Sequence, residues 1–378
     1  MANNIPIKET IEDKNSWFNI KRFKISGIDF EHPIKTLDTK EISQETYDTI
    51  AKKSNFQLTE VSKTVKNFNA IKSIYEESND SIINTFFSKK RWLDSPNVVN
   101  FTFNFNPYDH VTNIDDLSGF FDLYYEYSKV FLTVPNLKLQ KYNQDGKIES
   151  IISITKYLEF VDEVFDILNT KNHKPIFVPI SLRPALKDIE EICMHYLTKD
   201  HLNFWIDFEG KAINEQSMGR LRYLYRILKE NEQFKNVVCY CTNIKREIMS
   251  NSKIDKSPAS DVLAAISGAN IIGVDREPQR PFFGEVSREI IEHKNRILDR
   301  RTYYYTKTED PKFSRKDVSV TYNAIKLNEE FESQSENFLK DLTIVESLKK
   351  KSMLKDNEKI LKALIAKPPT TKKIDNWF

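Results

Sequence analysis

Between residues 98 and 276, short apolar runs alternate with helical segments, and this alternation restricts the possible folds more than any other feature. The run VFLTVP at 130–135 is apolar at nearly every position, as a strand buried on both faces requires. Successive strands of this kind, joined by helices, are parallel and connected by crossovers. The pattern therefore predicts an α/β fold with a parallel sheet. The predicted strands are 98–105, 130–135, 175–181, 202–210, 236–243 and 270–275, and the predicted helices are 117–130, 150–169, 184–198, 216–230 and 257–267.

Two further strand signals, at 34–37 and 301–305, bring the strand number to that of a TIM-type (β/α)8 barrel. We predict such a barrel with an N-terminal helical insertion, 41–90, and a C-terminal helical tail, 327–366, that follows a loop-like stretch. A doubly wound open sheet shows the same alternation and remains the alternative architecture. The predicted divisions are 1–97 (hairpin, first barrel strand and helical layer), 98–308 (barrel core), 309–370 (charged helical extension) and 371–378 (tail).

Composition excludes several classes of protein. The 57 basic and 55 acidic residues leave a net charge of +2, so bulk charge indicates no polyanion partner, and a nucleic-acid surface would have to be a local patch. Three cysteines are too few for a disulfide framework and fit a reducing compartment, which predicts a cytoplasmic location. No apolar stretch approaches the roughly 18 residues of a membrane span, so no membrane partner is expected.

Polar residues stand where the predicted strands end, and parallel α/β folds build their sites at that end. Asp207 and Glu209 close the strand 202–210 on one face, and paired carboxylates there can divide into an acid and a base. The alternative role for Asp207 is a structural ion pair with Arg183. Asp275, which ends the strand 270–275, is either catalytic or a cap for the next helix. The other residues predicted to line this mouth are Asn136, Arg183, Asn243 and Arg280.

Metal and cofactor signals are weak in this sequence. The six histidines form no ligand pair, and Cys239 and Cys241 alternate on a predicted strand without a second cysteine pair, so we interpret them as packing residues. The glycine-rich loops that bind nucleotides and the G-x-S-x-G elbow of serine hydrolases are missing from the sequence. We therefore predict neither a metal nor a cofactor.

The C-terminal sequence TKKIDNWF resembles the clamp-binding peptide of archaeal and eukaryotic replication and repair proteins. That pattern is a glutamine, two residues, an aliphatic residue, two residues and two aromatic residues. Ile374, Trp377 and Phe378 take the aliphatic and aromatic positions, while Thr371 departs from the usual glutamine. The resemblance implies a sliding-clamp partner, bound through a 3₁₀ turn that presents the three apolar side chains together. The alternative is a tail that packs its aromatic rings on its own domain.

The sequence DLSGFF, which begins at Asp116, resembles the motif D-S-G-G-F-Q of the tRNA-guanine transglycosylase family, which includes relatives that insert deazaguanine bases into DNA. A leucine is inserted, and one glycine and the glutamine are missing. The stretches FNIKRFKISGIDFEHPIKTLD and SPASDVLAAISGANIIGVD resemble the family's opening hairpin and the region that carries its second aspartate. The family's C-x-C-x-x-C zinc motif is not continued after Cys241.

This resemblance implies a TIM barrel that exchanges a nucleobase. A carboxylate attacks the sugar C1′ and displaces guanine, while a second carboxylate moves protons. Asp116 and either Asp275 or Asp207 would be those carboxylates, and Ser118 and Gly119 would contact the substrate. With the clamp-like tail, the resemblance implies a nucleic-acid substrate, DNA rather than tRNA. We therefore predict a nucleobase-modifying, transglycosylase-like enzyme; the alternatives are a non-catalytic adaptor barrel and a barrel enzyme for a small metabolite.

Overall fold

The computed structural model describes parallel strands that alternate with helices, which confirms the predicted α/β class with a parallel sheet. The described residues are 4–54, 56–77, 80–89, 95–142, 148–150, 152–171, 173–248, 255–275 and 296–365. The strands are β1 (Ile7–Glu12), β2 (Asn19–Ile25), β3 (Ile28–Phe30), β4 (Ile34–Lys35), β5 (Leu37–Asp38), β6 (Thr59–Val65), β7 (Asn97–Phe103), β8 (Leu132–Thr133), β9 (Asn136–Leu137), β10 (Gln140–Tyr142), β11 (Ile148–Ser150), β12 (Ile176–Ser181), β13 (Asn203–Lys211), β14 (Val238–Ile244), β15 (Lys256–Pro258), β16 (Ile271–Ile272), β17 (Arg296–Asp299) and β18 (Tyr304–Lys307).

The helices lie between and after these strands. The longer helices span Asn69–Glu77, Asp80–Phe86, Ser118–Tyr127, Ile154–Asn169, Leu186–Thr198, Glu215–Glu230, Lys316–Asp341 and Glu358–Leu364. The shorter helical turns span Gln44–Thr46, Tyr47–Ala51, Lys52–Ser54, Pro107–Asp109, Ile114–Leu117, Leu263–Ile266, Pro311–Phe313, Val345–Lys349 and Ser352–Asp356. Within the described ranges, no helix has both the length and the apolar character needed to cross a membrane.

Two parallel sheets form the centre of the protein. One has the order β4-β16-β14-β13-β12-β8 and the other the order β5-β6-β7-β9. The segment 34–38 supplies β4 to the first sheet and β5 to the second, and the segment 132–137 supplies β8 and β9 in the same way. The two sheets therefore share a chain segment at each edge. Because neighbouring strands are parallel, their carboxyl ends lie at the same end of the sheets.

The helix Ile154–Asn169 illustrates why the intervening segments are helical. Ser153 caps its start, where the Ser153 Oγ accepts a hydrogen bond from the backbone N–H of Lys156 at 3.3 Å. Its buried side chains, including Tyr157, Val161 and Phe165, recur every three or four residues and cover the sheet. This spacing gives a helix one apolar face, which is buried against the strands.

The hairpin predicted within residues 1–97 is confirmed as β2 and β3, and Gly27 lies at its turn with φ 87°. Its Phe23, Ile25 and Phe30 join a second apolar cluster with residues that begin the parallel strands, such as Ile34 and Val238. The hairpin therefore covers the amino ends of the strands. The cluster also contains Ile5, Leu58, Val98, Val130, Phe131, Phe177, Trp205, Tyr240 and Ile271.

The predicted helical layer at 41–90 is wrong at its centre, because β6 (Thr59–Val65) is a parallel strand between β5 and β7. The side chains of Glu60 and Ser62 are buried and hydrogen-bonded on one face of β6, whereas Val61 and Val65 join the main apolar core on the other. A strand with polar residues on its buried inner face does not show the apolar run that identified the other strands.

Three other sequence predictions also change. The segment 301–305 was predicted as a parallel barrel strand, but β18 pairs antiparallel with β15 and β17. The predicted helix 257–267 begins instead with β15, and only Leu263–Ile266 is helical. The loop expected after residue 309 gives way to the helix Lys316–Asp341, whose buried face includes small residues that weaken its apolar periodicity.

We expect stability to fall in acid because of one buried histidine. His201 is 9% exposed, and its ring centroid lies 3.9 Å from that of Phe165. Burial lowers the pKa of His201 from 6.5 to about 4. Between pH 6.5 and about pH 4, His201 therefore binds a proton in the unfolded chain but not in the folded protein. The free energy of unfolding should fall by up to about 3 kcal/mol as the pH drops through this interval.

Denaturant titrations between pH 7 and pH 4 test this expectation. The variant His201→Gln should lose much of the pH dependence, because its side chain takes up no proton. His173→Gln, which alters an exposed histidine, should keep the dependence of the unaltered chain. Identical pH profiles for the two variants would contradict the assignment to His201.

Candidate active site

Asp207 stands at the end of the buried part of β13 and is 1% exposed. Its Oδ2 accepts a hydrogen bond from Nδ2 of Asn136 at 3.1 Å, and its Oδ1 accepts one from Nδ2 of Asn243 at 3.1 Å. The backbone N–H of Glu209 also donates to Asp207 Oδ1, at 2.8 Å. These three donors compensate for the burial of the carboxylate and draw residues from three strand ends to one point.

Glu209 lies next to this carboxylate and is reached by two donors from the neighbouring strand end. The hydroxyl of Ser181 donates to Glu209 Oε1, and Nη1 of Arg183 lies 3.2 Å from Glu209 Oε2. The side chain of Glu209 is 13% exposed. Arg183 therefore forms an ion pair with Glu209, where the sequence suggested Asp207 as its partner.

The backbone at these strand ends adopts conformations that are costly for residues with side chains. Glu209 has φ 50° and Asn243 has φ 57°, both in the left-handed region, and Gly210 has φ 73°. The pairing of β13 with β14 shifts register between Asp207 and Lys211. A residue such as Glu209 costs about 1–2 kcal/mol in the left-handed region, whereas asparagine enters it more readily. Non-glycine residues in this region concentrate at functional sites. Two of them next to Asp207 point to a site rather than to a simple strand end.

A second set of carboxylates lies on the segment 34–38 and on β6. Asp38 is the register partner of Glu60, so the two side chains share one face. Asp38 is half-buried and accepts a hydrogen bond from the backbone N–H of Lys40 at 2.9 Å. Burial raises the pKa of Asp38 to about 6, and the nearby acids Glu41 and Glu60 act in the same direction. The sequence analysis missed Asp38, although it directly follows a predicted strand, 34–37.

Glu60 is completely buried and fully hydrogen-bonded. Its carboxylate accepts hydrogen bonds from Thr36 Oγ1 at 2.7 Å, Asn100 Nδ2 at 2.8 Å and the backbone N–H of Val274 at 3.1 Å. Asn100 Nδ2 also donates to the Tyr240 hydroxyl at 2.8 Å. This network ties together segments from both parallel sheets beneath the strand ends, and the sequence analysis did not identify it.

Asp275 follows β16 and is partly exposed. Since β16 and β13 are parallel members of one sheet, Asp275 and Asp207 lie at the same end of it. Lys35 lies near this end and donates through Nζ to the Gly273 carbonyl. Burial lowers the pKa of Lys35, while the charges of Glu60, Asp261 and Asp275 oppose that effect. The predicted common rim for Asp207 and Asp275 therefore matches the sheet topology.

The transglycosylase-like motif does not join this group. Asp116 lies on the 3₁₀ turn Ile114–Leu117, and Ser118 and Gly119 begin the next helix; all three are exposed. That helix packs on Asn69–Glu77 in the outer layer, because a long connection separates it from the end of β7. Arg280, predicted at the mouth, and Thr371, Ile374, Trp377 and Phe378, predicted in the clamp-binding tail, lie outside the described residues.

The sequence analysis interpreted Cys239 and Cys241 as packing residues on a strand. Cys239 and Cys241 are buried in the main apolar cluster, which confirms their interpretation as packing residues. Across the part of the chain that the structure describes, no group of three or more histidine, cysteine, aspartate or glutamate residues is arranged to hold a metal ion.

A cleft of about 230 Å³ borders this site. It lies between the chain that leaves β9 and the chain that leaves β12, and Pro184 on its wall directly follows Arg183. Among the residues that the structure describes, its lining combines apolar and polar side chains and includes no lysine or arginine: Leu139, Gln140, Ile152, Ser153, Ile154, Pro184 and Asp188.

Comparison with solved structures gives distant alignments. A double mutant of an endo-β-1,4-mannanase from Cellulomonas fimi aligns with 68% of this chain and 68% of its own length, at 11% identity and a TM-score of 0.41. GH26C from Muricauda sp. MAR_2010_75 aligns with 70% of this chain and 85% of its own, at 11% identity and a TM-score of 0.42. No protein-family model and no curated protein matches the chain.

The predicted exchange of a nucleobase in DNA is wrong. The mannanase and GH26C are two of the solved structures that align with the chain. The structure supplies a physical reason, since Asp116, which the resemblance made catalytic, is exposed in the outer layer. The deazaguanine and nucleic-acid substrates that accompanied the predicted exchange reaction are therefore no longer expected. Sliding-clamp binding through residues 371–378 stays a prediction from the sequence.

Proposed function

We propose that this chain is a TIM-barrel enzyme that hydrolyses a glycosidic bond, with Glu209 and Asp38 as the two catalytic carboxylates. The barrel is supported by the two parallel sheets, which share the segments 34–38 and 132–137 at their edges. An eight-segment ring built on these shared edges has its site at the carboxyl ends of the strands. Asp207, Glu209 and Asp38 all stand at such ends.

The arrangement around Glu209 is the observation that carries this proposal. Arg183 pairs with the Glu209 carboxylate, Ser181 donates to it, and the left-handed backbone turns residue 209 away from the regular strand. Asp207 accepts a hydrogen bond from the backbone N–H of Glu209 and therefore acts as a positioning residue for Glu209. A carboxylate fixed in this way is suited to attack a sugar C1 or to activate a water that does so.

Asp38 supplies the second requirement, an acid that protonates the leaving oxygen. Burial raises its pKa to about 6, so near neutrality a useful fraction carries the proton. Glycoside hydrolysis uses two carboxyl groups on opposite sides of the scissile bond, one protonated and one ionised. Asp38 and Glu209 belong to segments separated by β16 and β14 in the sheet order, which favours positions on different walls of the mouth.

Hydrolysis of aryl glycosides and unsubstituted disaccharides by the purified chain tests this proposal. We expect kcat/KM for a disaccharide to decrease about tenfold per pH unit above pH 6, because the ionised form of Asp38 has no proton to donate. Asp38→Asn should abolish this alkaline decrease and lower kcat/KM about 10²- to 10⁴-fold. The loss should be smaller for nitrophenyl glycosides, whose leaving group needs little protonation.

Asp48→Asn is the matched control, since Asp48 is exposed on a neighbouring helical turn. It should leave rate and pH profile unchanged. Failure of the unaltered chain to release sugar from any α- or β-linked substrate of a broad panel would refute the proposed function. An unchanged alkaline decrease in Asp38→Asn would remove Asp38 from the role of acid.

A further inference from the structure

The cleft defined by Leu139, Gln140, Ile152, Ser153, Ile154, Pro184 and Asp188 is not used by the two carboxylates of the proposed function. Its volume of about 230 Å³ lies below the roughly 300–1,000 Å³ of sites that enclose a whole small-molecule ligand. A cleft of this size suits one ring of a larger ligand. It begins beside the site, because Pro184 follows Arg183 and Leu139 is three residues after Asn136.

The lining indicates the chemistry of that ring. Leu139, Ile152 and Pro184 offer an apolar wall, while Gln140, Ser153 and Asp188 offer polar groups. Ser153 already accepts a hydrogen bond from the Lys156 backbone N–H, which leaves its hydroxyl proton to donate. Because the described lining includes the acid Asp188 and no basic side chain, the cleft disfavours phosphate or carboxylate ligands. An uncharged ring with hydroxyl groups at its edge and carbon atoms on its faces matches this mixture.

We propose that this cleft is a sugar-binding subsite, which holds the unit of an oligosaccharide next to the bond that is cleaved at Glu209. This inference rests on the proposed function and specifies its substrate as an oligosaccharide rather than a simple monosaccharide glycoside. Binding in the cleft contributes to recognition of the longer substrate only, so its loss should affect long and short substrates differently.

The test uses the double variant Gln140→Ala/Asp188→Ala and the control Lys187→Ala, which alters an exposed residue beside Asp188. The probes are β-1,4-linked tri- and tetrasaccharides of glucose, mannose and N-acetylglucosamine, with the matching nitrophenyl monosaccharide glycosides. For the oligosaccharide cleaved, we expect kcat/KM of the double variant to fall at least about tenfold, as the loss of two hydrogen bonds predicts. The monosaccharide glycoside and the control variant should change less than about twofold.

Calorimetric binding of the same oligosaccharides separates this inference from the proposed function. If the unaltered chain binds an oligosaccharide but cleaves nothing, the proposed function fails, and weaker binding by the double variant still supports the subsite. Equal losses for long and short substrates, unchanged affinity in the double variant, or no oligosaccharide binding by the unaltered chain would each overturn the subsite.

Discussion

Replacing Glu209 by glutamine should lower kcat for glycoside hydrolysis by about 10³-fold or more while the protein stays folded. Glutamine keeps the shape of the side chain and an oxygen that can accept from Ser181, but it has no charge to pair with Arg183. The amide can neither attack a sugar carbon nor take a proton from water. The loss should therefore appear in kcat for every substrate, including those with good leaving groups.

Circular dichroism and thermal unfolding of Glu209→Gln should resemble those of the unaltered chain. Glu191→Gln is the control, because Glu191 is exposed on the helix Leu186–Thr198. A Glu209→Gln protein that keeps more than a tenth of the activity would exclude Glu209 from the chemistry. The anomeric configuration of the sugar released by the unaltered chain separates the two possible roles: retention would identify Glu209 as a nucleophile, whereas inversion would indicate a base acting on water.

Replacing Gly273 by alanine should destabilise the fold by about 3 kcal/mol or more, the upper range for overpacking a filled interior. A Cβ at this position would lie 2.5 Å from Thr242 Cγ2, 2.7 Å from Glu60 Oε2 and 2.9 Å from Tyr240 Cε2. Glu60 and Tyr240 cannot move away without loss of stability, because both are fully buried and both accept hydrogen bonds from Asn100. Urea or guanidinium titration measures the expected loss.

The same substitution at Gly219 should have the opposite effect on stability. Gly219 lies in the helix Glu215–Glu230, and a Cβ there would meet nothing within 4 Å. Alanine favours the helix over glycine by about 1 kcal/mol, so this variant should be slightly more stable than the unaltered chain. Equal stability of Gly273→Ala and Gly219→Ala would show that the interior around Glu60 is not packed as described.

The sequence predicted those strands that are apolar on both faces. The strands β12 and β14 are buried at every position, so their composition identifies them without knowledge of the fold. By contrast, β6 was missed because Glu60 and Ser62 occupy its inner face, and their hydrogen-bond partners come from Thr36 and Asn100, distant in sequence. The partners in a buried polar network come together only in the folded structure, so the spacing of apolar residues along the sequence does not indicate such a network.

The sequence also predicted part of the candidate site. Asn136, Arg183, Glu209 and Asn243 were expected to meet near Asp207 because parallel strands bring their carboxyl ends together, and the structure places them in one hydrogen-bonded group. The rule also applied to Asp38, but the short segment that precedes it gave a weaker strand signal. The motif resemblance implied that Asp116 is catalytic. The connection after β7 instead places Asp116 on the turn Ile114–Leu117, where it is exposed.

The hairpin covers the amino ends of the strands, and Asp207 and Glu209 lie at the opposite, carboxyl end. Phe23, Ile25 and Phe30 fill the other end together with strand residues such as Ile34 and Val238. Under the proposed function, the substrate would therefore bind, and its products would leave, at the carboxyl ends of the strands.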